Sequence, residues 1–213
     1  MVPCSHQVNV KNGSVTVAEN RRRSQAERTE TTRKLILDQA YHLFGKKGYS
    51  KTSLDDIVVQ CGLTRGALYH HFNGKRKLFS TLVFDVEHKM HDAIAAATGE
   101  TPRERFENSI DIFFSYCAIQ EFRQIVLLDG PAILGLEHRT EPTRHAREHH
   151  LYELVPLLLP DNVSNAYRSA FTNIVLGGMK EVASVIAKSD DPDATRRAAR
   201  DVLHDLISQL SPS

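Results

Sequence analysis

Apolar residues recur at the spacing of an amphipathic helix along most of the chain. The first clear stripe contains Ile36, Ala40 and Phe44, which fall on one side of a helix. Ser24, with a glutamate three residues later, has the spacing of a capping box and is predicted to begin this helix. Gly48 is predicted to end it, because glycine adopts the left-handed conformation at a helix C-terminus without strain.

Two short helices are predicted next. Ser53 and Asp56 repeat the capping-box spacing and open the first, which Gly62 ends, while Thr64 can cap the second, which continues to about Phe72. Two short helices that meet at a glycine-containing turn indicate a helix-turn-helix. The residues that can form its small core are apolar or small: Ile57, Val58, Cys61, Leu63 and Leu68.

Helical periodicity continues to the C-terminus, and no alternation typical of β-strands occurs. The fold class is therefore predicted to be all-α, with an N-terminal three-helix part containing the helix-turn-helix, followed by a larger helical domain. Residues 121–135 are predicted to be a short helix broken near Gly130 and Pro131. The other predicted helices lie at residues 75–97, 102–117, 137–159, 163–188 and 192–210.

Charge is distributed unevenly, although the formal net charge is only +1. The first 80 residues carry 14 basic and 6 acidic side chains, whereas the remaining residues carry 13 and 20. This asymmetry indicates that only the first part of the chain meets a polyanion such as DNA. Residues 1–23 are polar and end in three arginines, and are predicted to be a flexible basic arm that either enters a minor groove or stays solvated.

The composition gives no sign of a membrane or of an oxidising compartment. No stretch approaches the roughly 18 consecutive apolar residues of a membrane span, and the first residues lack the apolar stretch of a secretory signal. Cys4, Cys61 and Cys117 have no paired spacing and are predicted to be free thiols. We therefore expect a cytoplasmic protein without a membrane partner.

The second helix of the motif presents polar residues on the side opposite its core. Arginine can pair with a guanine edge, and tyrosine and histidine can bond phosphates. A glycine in a helix costs about 1 kcal/mol relative to alanine, and close approach of the backbone to DNA would explain it here. An ordinary helical hairpin within a bundle would show the same periodicity. The outward residues are Thr64, Arg65, Gly66, Tyr69 and His70.

Residues 32–80 resemble the DNA-binding domain of the TetR family of repressors. Without a gap they contain the family's motifs G-Y-x-x-T-S, G-L-T-R-G-A-L-Y and Y-x-H-F-x-x-K. The residues that this resemblance implies for phosphate contacts are Thr52, Tyr69, His71 and Lys75. Those implied to face bases are Thr64, Arg65, Gly66 and His70. Ser53 completes the predicted DNA-binding set. Residues 127–135, L-L-D-G-P-A-I-L-G, are similar to a stretch in a subset of these regulators and identify no ligand.

One feature departs from the TetR pattern. Where the family usually has acidic residues after the lysine that matches Lys75, this chain has Arg76 and Lys77. Exposed cations at a helix N-terminus oppose the helix dipole by roughly 0.3–1 kcal/mol each, whereas a phosphate lying there would reverse the sign. We interpret the three basic residues as further contacts to the DNA backbone; a solvated helix terminus is the alternative.

The resemblance also implies that the C-terminal part binds an effector and forms a dimer. The expected boundaries are residues 1–23 for the arm, 24–74 for the DNA-binding domain and 75–213 for the effector-binding and dimerisation domain. The last two predicted helices, paired in a homodimer, would make a four-helix interface; packing within one monomer is the alternative. The candidate interface residues are Phe171, Ile174, Gly178, Val182, Leu203, Leu206 and Leu210.

An effector pocket is expected in the same domain, and its occupant would be small and largely apolar. The ligand would favour a dimer whose recognition helices no longer match successive major grooves of a palindromic operator. This mechanism describes a repressor, and activation is the alternative. The candidate wall residues are aromatic or aliphatic: Phe106, Phe113, Phe114, Leu127, Leu134 and Tyr152.

A zinc site is a further alternative. His145, Glu148 and His149 match the H-x-x-E-H pattern of zinc hydrolases, and the two histidines could instead sense a metal together with His88 or His91. The neighbouring charged residues are typical of a solvated surface. We therefore expect no catalytic residues, no bound metal and no cofactor.

Redox sensing through Cys117 and a ligand-binding protein with a vestigial DNA-binding domain are the remaining alternatives. No cation lies at helical spacing beside Cys117 to lower its pKa. Salt-dependent DNA binding separates a vestigial domain from a functional one, because neutralising phosphates releases counterions. The expected partners are a double-stranded operator, a small-molecule effector and a second copy of the chain.

Overall fold

The computed structural model describes residues 17–139 and 150–209. For residues 17–24 and 136–139 it describes the backbone only. Within these ranges the chain is helical and contains no strand, which confirms the all-α prediction. A π-helical segment, Arg123–Asp129, joins α6 to α7, and the 3-10 turn Val155–Leu158 follows α8. The helices are α1 (Val17–Lys51), α2 (Leu54–Cys61), α3 (Arg65–His71), α4 (Lys75–Ala95), α5 (Pro102–Ala118), α6 (Gln120–Phe122), α7 (Gly130–Arg139), α8 (150–154), α9 (Asn165–Lys188) and α10 (Pro192–Ser208).

The first helix differs from its prediction at one end and agrees at the other. It begins at Val17, seven residues before the predicted start at Ser24, so the predicted arm is already helical from residue 17. Residues 1–16 of that arm lie outside the described residues. Near the other end Gly48 has φ 77° and ψ 166°, which interrupts the helical path as expected of a glycine at this position.

The prediction of a break near Gly130 and Pro131 is wrong. The chain stays helical there because the Gly130 N–H donates to the carbonyl of Ile125, a π-type hydrogen bond. Pro131 lies in the first turn of α7, where its missing N–H costs no helical bond. The interruption falls later, at Gly135, whose φ is 63° and ψ −146°.

The helix predicted for residues 137–159 is tested only in part, because residues 140–149 lie outside the described residues. Residues 137–139, in α7, and 150–154, in α8, are helical as predicted, whereas Val155–Leu158 form a 3-10 turn in place of the last turn of an α-helix. Pro156 lies within this turn, where it has no amide hydrogen to continue an α-helix.

The chain divides by its contacts into two compact units, residues 1–35 and 36–213. Within the second unit one apolar core runs from Ile36 to Ile207, so side chains of the predicted helix-turn-helix and of the C-terminal helices belong to the same cluster. The boundary between residues 74 and 75 that we expect for the two functional domains remains a prediction.

Among the described residues, α9 is the only helix that is long and apolar enough to cross a membrane. This is weak evidence, because a helix that packs in the core of a globular protein passes the same test of length and composition. Leu176, Met179, Ala183 and Ile186 of α9 are buried in the apolar core. The apolar character of α9 therefore has an explanation within the fold.

Candidate DNA interface and ligand cavity

The start of α2 is fixed by the capping box predicted from the sequence. The Ser53 N–H donates to Oδ2 of Asp56 at 2.9 Å, and the Asp56 N–H donates to Oγ of Ser53 at 3.0 Å. These two hydrogen bonds hold the pKa of the Asp56 carboxyl below its usual value. Gly62 then ends α2 in the left-handed conformation, with φ 63°. The local sequence thus sets where the recognition motif begins and turns.

The α3 helix begins at Thr64, whose Oγ1 accepts a hydrogen bond from the Ala67 N–H at 3.2 Å. Its inner side carries Leu68, which is buried with Ile57 and Val58 of α2. The predicted core of the helix-turn-helix is confirmed. Cys61 and Leu63 are partly buried and pack against the same core.

The outer side of α3 carries exposed residues. Arg65 is joined to the first turn of α2 by an ion pair between its Nε and Oδ1 of Asp55, 2.7 Å apart. Both side chains are more than half exposed, so the pair contributes at most about 1 kcal/mol and a DNA base can replace Asp55. The exposed residues of the predicted contact set are Ser53, Thr64, Arg65, Gly66, Tyr69 and His70, while His71 is half-buried.

Gly66 has no structural reason of its own to be glycine. A Cβ at this position would meet only Oγ1 of Thr64, at 3.9 Å, which is ordinary van der Waals contact. The backbone of Gly66 is not in the left-handed region either. Alanine would fit and is the better helix former, so the described chain does not itself require glycine at this position. Close approach to another molecule supplies such a requirement.

The phosphate contact predicted for Thr52 is contradicted by its burial. Its side chain is 1% exposed, and its hydroxyl lies within hydrogen-bonding distance of the carbonyl oxygens of Leu43 and Gly48, at 3.2 and 2.9 Å. The hydroxyl therefore ties the end of α1 to the α1–α2 connection. A buried hydroxyl with these partners cannot reach a phosphate.

Lys75, Arg76 and Lys77 are consecutive in the first turn of α4, but their side chains have different surroundings. The Lys75 Nζ lies 4.2 Å from the ring centroid of Tyr49, a cation–π contact. Partial burial lowers the pKa of Lys75, and the nearby Asp129 carboxylate opposes this shift. Lys77 is exposed. Lys75 is thus held against an aromatic ring, and its contact with DNA stays a prediction.

Arg76 makes a contact within the chain. Its guanidinium Nη1 donates a hydrogen bond to the carbonyl of Ile133 in α7. Gly135 interrupts α7 two residues later, and Arg76 supplies a donor to a carbonyl next to that interruption. This side chain thus joins α4 to α7, and its interpretation as a DNA-backbone contact stays a prediction.

A cavity of about 880 Å³ lies between α4, α5, the segment from α6 to α7, α8 and α9. Three of the six predicted wall residues line it, namely Phe113, Leu127 and Tyr152. The other three do not: Phe106, Phe114 and Leu134 are buried in the apolar core. Aromatic residues at helical spacing show which helix contributes to a core, and they do not show which side meets a cavity.

Sequence reasoning missed most of the wall that α4 and α9 contribute. Met90 and Ile94 lie at helical spacing on one side of α4, and nothing in that spacing separates a cavity wall from a packed core. Glu87 is 4% exposed and lines the cavity one turn before His91, so it contributes a buried carboxylate to the wall. The wall residues that were not predicted are Glu87, Met90, His91, Ile94, Phe122, Val126, Leu128, Pro131, Ala132, Leu151, Leu176, Gly177, Met179, Lys180, Glu181, Ala183, Ser184 and Lys188.

The predicted dimer residues fall into two groups. Ile174 and Leu206 are 73% and 56% exposed, and a Cβ at Gly178 would meet nothing within 4 Å. Phe171, Val182 and Leu203 are partly buried and pack against the chain's own core, and their place in a dimer interface stays a prediction. Leu210 lies outside the described residues. Val185 and Val202 are exposed apolar residues that were not in the predicted set.

The metal and redox alternatives gain no support from the described residues. The H-x-x-E-H stretch at residues 145–149 lies outside them, and within them no three metal-ligating side chains come together. His88 pairs with Asp92, with Nδ1 and Oδ1 3.5 Å apart. Burial raises the pKa of the Cys117 thiol to about 12, and burial also raises the pKa of the Cys61 thiol. Neither thiol is therefore activated as a thiolate at neutral pH.

Comparisons with known proteins agree with this arrangement. The family model "Bacterial regulatory proteins, tetR family" matches residues 36–82, and "Tetracyclin repressor-like, C-terminal domain" matches residues 103–210. A crystal structure of a TetR-family transcriptional regulator from Pectobacterium atrosepticum is similar, with 30% identity and a TM-score of 0.69. It covers 88% of this chain, and the match covers 97% of that protein.

Two curated regulators are similar over shorter stretches. The HTH-type transcriptional regulator TtgR of Pseudomonas putida is 42% identical over 72 residues, which are 34% of each chain. The HTH-type transcriptional repressor BepR of Brucella suis is 34% identical over 109 residues, 49% of this chain and 51% of that protein. The chain thus matches between a third and a half of the length of these two relatives. Both are described as transcriptional regulators and neither as an enzyme.

Proposed function

Because the chain belongs to the TetR family of bacterial transcriptional regulators, we propose that it binds a pseudo-palindromic operator as a homodimer and represses transcription. A small, largely apolar ligand releases it from DNA. The observation that carries the DNA-binding part is Gly66, exposed on the outer side of α3 in a helical conformation that alanine would also fit. The protein acts in the cytoplasm, without a membrane partner, and is not an enzyme.

In this proposal the outer side of α3 lies in the major groove. Arg65 reads a base edge, with Thr64 and His70 beside it, and the Gly66 backbone passes close to the DNA. Tyr69, His71 and Lys75 bind phosphates, as they do in the TetR pattern. Thr52 is excluded because it is buried, and Ser53 belongs to the contact set through its exposed position at the start of α2.

Substitution of Arg65 and Lys75 tests these two roles separately. Arg65→Ala should lose about 1–3 kcal/mol of discrimination at one base pair, because a bidentate contact to one base is removed. Lys75→Ala should weaken binding to all sequences alike, because a phosphate contact carries no sequence information. The measurement is fluorescence anisotropy on an operator selected from genomic fragments, on single-base variants of it and on random DNA. Equal losses of Arg65→Ala on operator and on random DNA would show that Arg65 reads no base.

The cavity is the proposed effector site. Its volume of about 880 Å³ falls within the range of roughly 300–1,000 Å³ that is typical of small-molecule sites. Aromatic and aliphatic walls favour a largely apolar ligand, and the buried Glu87 with the neighbouring His91 offers a polar group that can orient it. Phe113, Leu127 and Tyr152 are the predicted wall residues that we retain.

The exposed apolar residues of α9 and α10 are the proposed dimer interface. Ile174 and Leu206 leave large apolar surfaces in water, and Gly178 would let the backbone of a partner helix approach closely. A two-fold symmetric pair of α9 and α10 makes a four-helix interface. Two recognition helices in one particle then match the two halves of the operator.

A further inference from the structure

The π-helical segment Arg123–Asp129 has two sides that meet different parts of the molecule. Val126, Leu127 and Leu128 line the cavity. Gln124 and Asp129 lie against the end of α1, at Gly48. The same seven residues therefore form a wall of the proposed effector site and a support of the DNA-reading half.

On the α1 side, the contact is made through the backbone. The Tyr49 N–H donates a hydrogen bond of 2.7 Å to Oδ2 of Asp129, a residue 80 positions away in sequence. The same Asp129 oxygen lies 3.5 Å from the position that a Gly48 Cβ would occupy. Tyr49 also carries the ring over which Lys75 lies. The Asp129 carboxylate is thus bound to the connection that leads into α2.

α1 and the chain next to the π-helical segment are packed too closely to slide past each other freely. A Cβ at Gly45 would lie 2.9 Å from Cα of Glu121 in α6, so the α1 backbone rests directly on the chain just before the π-helical segment. After the segment, Arg76 at the start of α4 donates to the carbonyl of Ile133. One end of this part of the cavity wall therefore contacts α1, and the other is attached to the first turn of α4, which carries Lys75.

A π-helical turn has i to i+5 hydrogen bonds in place of the i to i+4 bonds of an α-helix, and such turns occur frequently at functional sites. A ligand that presses on Leu127 and Leu128 acts on the turns that position Asp129. Movement of Asp129 removes the acceptor of the Tyr49 N–H.

We infer that the segment Arg123–Asp129 couples the cavity to the DNA-reading half, and that Asp129 is the positioning residue that transmits occupancy to Tyr49. This inference rests on the proposed function and adds to it the contact through which the ligand acts, the hydrogen bond from the Tyr49 N–H to Asp129. Asp129 touches neither the DNA nor the inside of the cavity in this assignment. It acts through the α1–α2 connection.

Filling the cavity from within tests the coupling without a known ligand. Ala183 is buried, lines the cavity and belongs to α9, so Ala183→Phe places a ring in the cavity without altering the segment itself. Ser184→Phe is a second filling variant, from the next position of the same wall. Each is combined with Asp129→Ala, which removes the acceptor, and with Asp129→Asn, which keeps an oxygen acceptor but not the charge.

The first readout is hydrogen exchange of the Tyr49 amide in full-length protein, which needs no DNA. Filling should speed this exchange roughly tenfold or more, as expected for loss of a hydrogen bond to a charged group. Asp129→Ala alone should show the fast exchange already, and filling should add nothing to it. Asp129→Asn should keep the slow exchange and the response to filling. Unchanged Tyr49 exchange in both folded filling variants would overturn the coupling.

The second readout is affinity for the selected operator. Filling should lower it by a factor in the range of roughly 5–150 that is typical of allosteric coupling, and by less than twofold when Asp129 is alanine. An equal loss with and without Asp129→Ala would overturn the assignment of Asp129. Filling that speeds Tyr49 exchange in a protein with no preference for any duplex would leave the coupling supported and would refute the proposed function instead.

Discussion

Leu206→Asp is expected to convert the protein to a monomer and to weaken operator binding by roughly 10²–10⁴-fold, the range that the loss of a second linked site produces. Leu206 is exposed on α10, where our proposal places it at the two-fold interface. A carboxylate there would be buried without a partner, and symmetry introduces it twice. Sedimentation equilibrium gives the oligomeric state, and anisotropy gives the operator affinity.

The chain offers a matched control for this substitution. Leu157, in the 3-10 turn Val155–Leu158, is 58% exposed, and Leu206 is 56% exposed. Leu157→Asp therefore places a carboxylate at an equally exposed leucine outside the proposed interface. Leu157→Asp should stay dimeric and bind operator as wild type does. Ile174→Asp on α9 should behave like Leu206→Asp. A Leu206→Asp protein that sediments as a dimer would rule out this interface.

The second large effect is expected from Gly66→Leu. Gly66 is exposed, a Cβ there would meet only Oγ1 of Thr64, and leucine is a better helix former by up to about 1 kcal/mol, so we expect the fold to be as stable as wild type or more stable. On DNA the side chain would fill the space into which the α3 backbone must move. Operator affinity should then fall toward that for random DNA, a loss of roughly 10³-fold or more.

Gly66→Ala supplies the intermediate step, because its single methyl group occupies less of that space. Thermal unfolding followed by circular dichroism checks the stability of both variants, and anisotropy measures binding to operator and to random duplexes. If Gly66→Leu folds stably and binds operator with wild-type affinity, α3 does not approach DNA through this face.

The helix-turn-helix could be predicted because its signals are local. The caps at Ser53 and Thr64 and the turn at Gly62 depend on residues at most three positions away, so spacing alone specifies them. The exposed side of α3 then follows from helical periodicity and from the burial of Leu68. These features hold in any context that keeps the two helices together.

The contacts that connect the helix-turn-helix to the rest could not be predicted, because their partners are distant in sequence. Thr52 and Arg76 fit the pattern of DNA contacts, and only the folded chain shows that Thr52 is buried and that Arg76 donates to Ile133. The hydrogen bond from Tyr49 to Asp129 spans 80 positions. No spacing rule relates residues at such separations.

Which side chains line the cavity could not be predicted from the sequence either. Phe113 lines the cavity and its neighbour Phe114 is buried in the core, although both are aromatic and adjacent on α5. Consecutive residues on a helix point about 100° apart, so the position of the helix relative to its neighbours decides which one meets the cavity. The dipeptide Gly130-Pro131 led to the wrong prediction of a helix break, because glycine and proline usually end a helix. Here a π-type hydrogen bond keeps the chain helical.

Salt-dependent titration of full-length protein onto the selected operator and onto random duplexes tests the DNA-binding claim most directly. We predict two chains per operator, a preference for operator over random DNA, and an affinity that falls linearly on a logarithmic salt scale because bound phosphates release counterions. A monomer whose affinity for duplex DNA is absent or insensitive to salt would contradict the proposed function, and would leave a family member whose DNA-binding domain is vestigial.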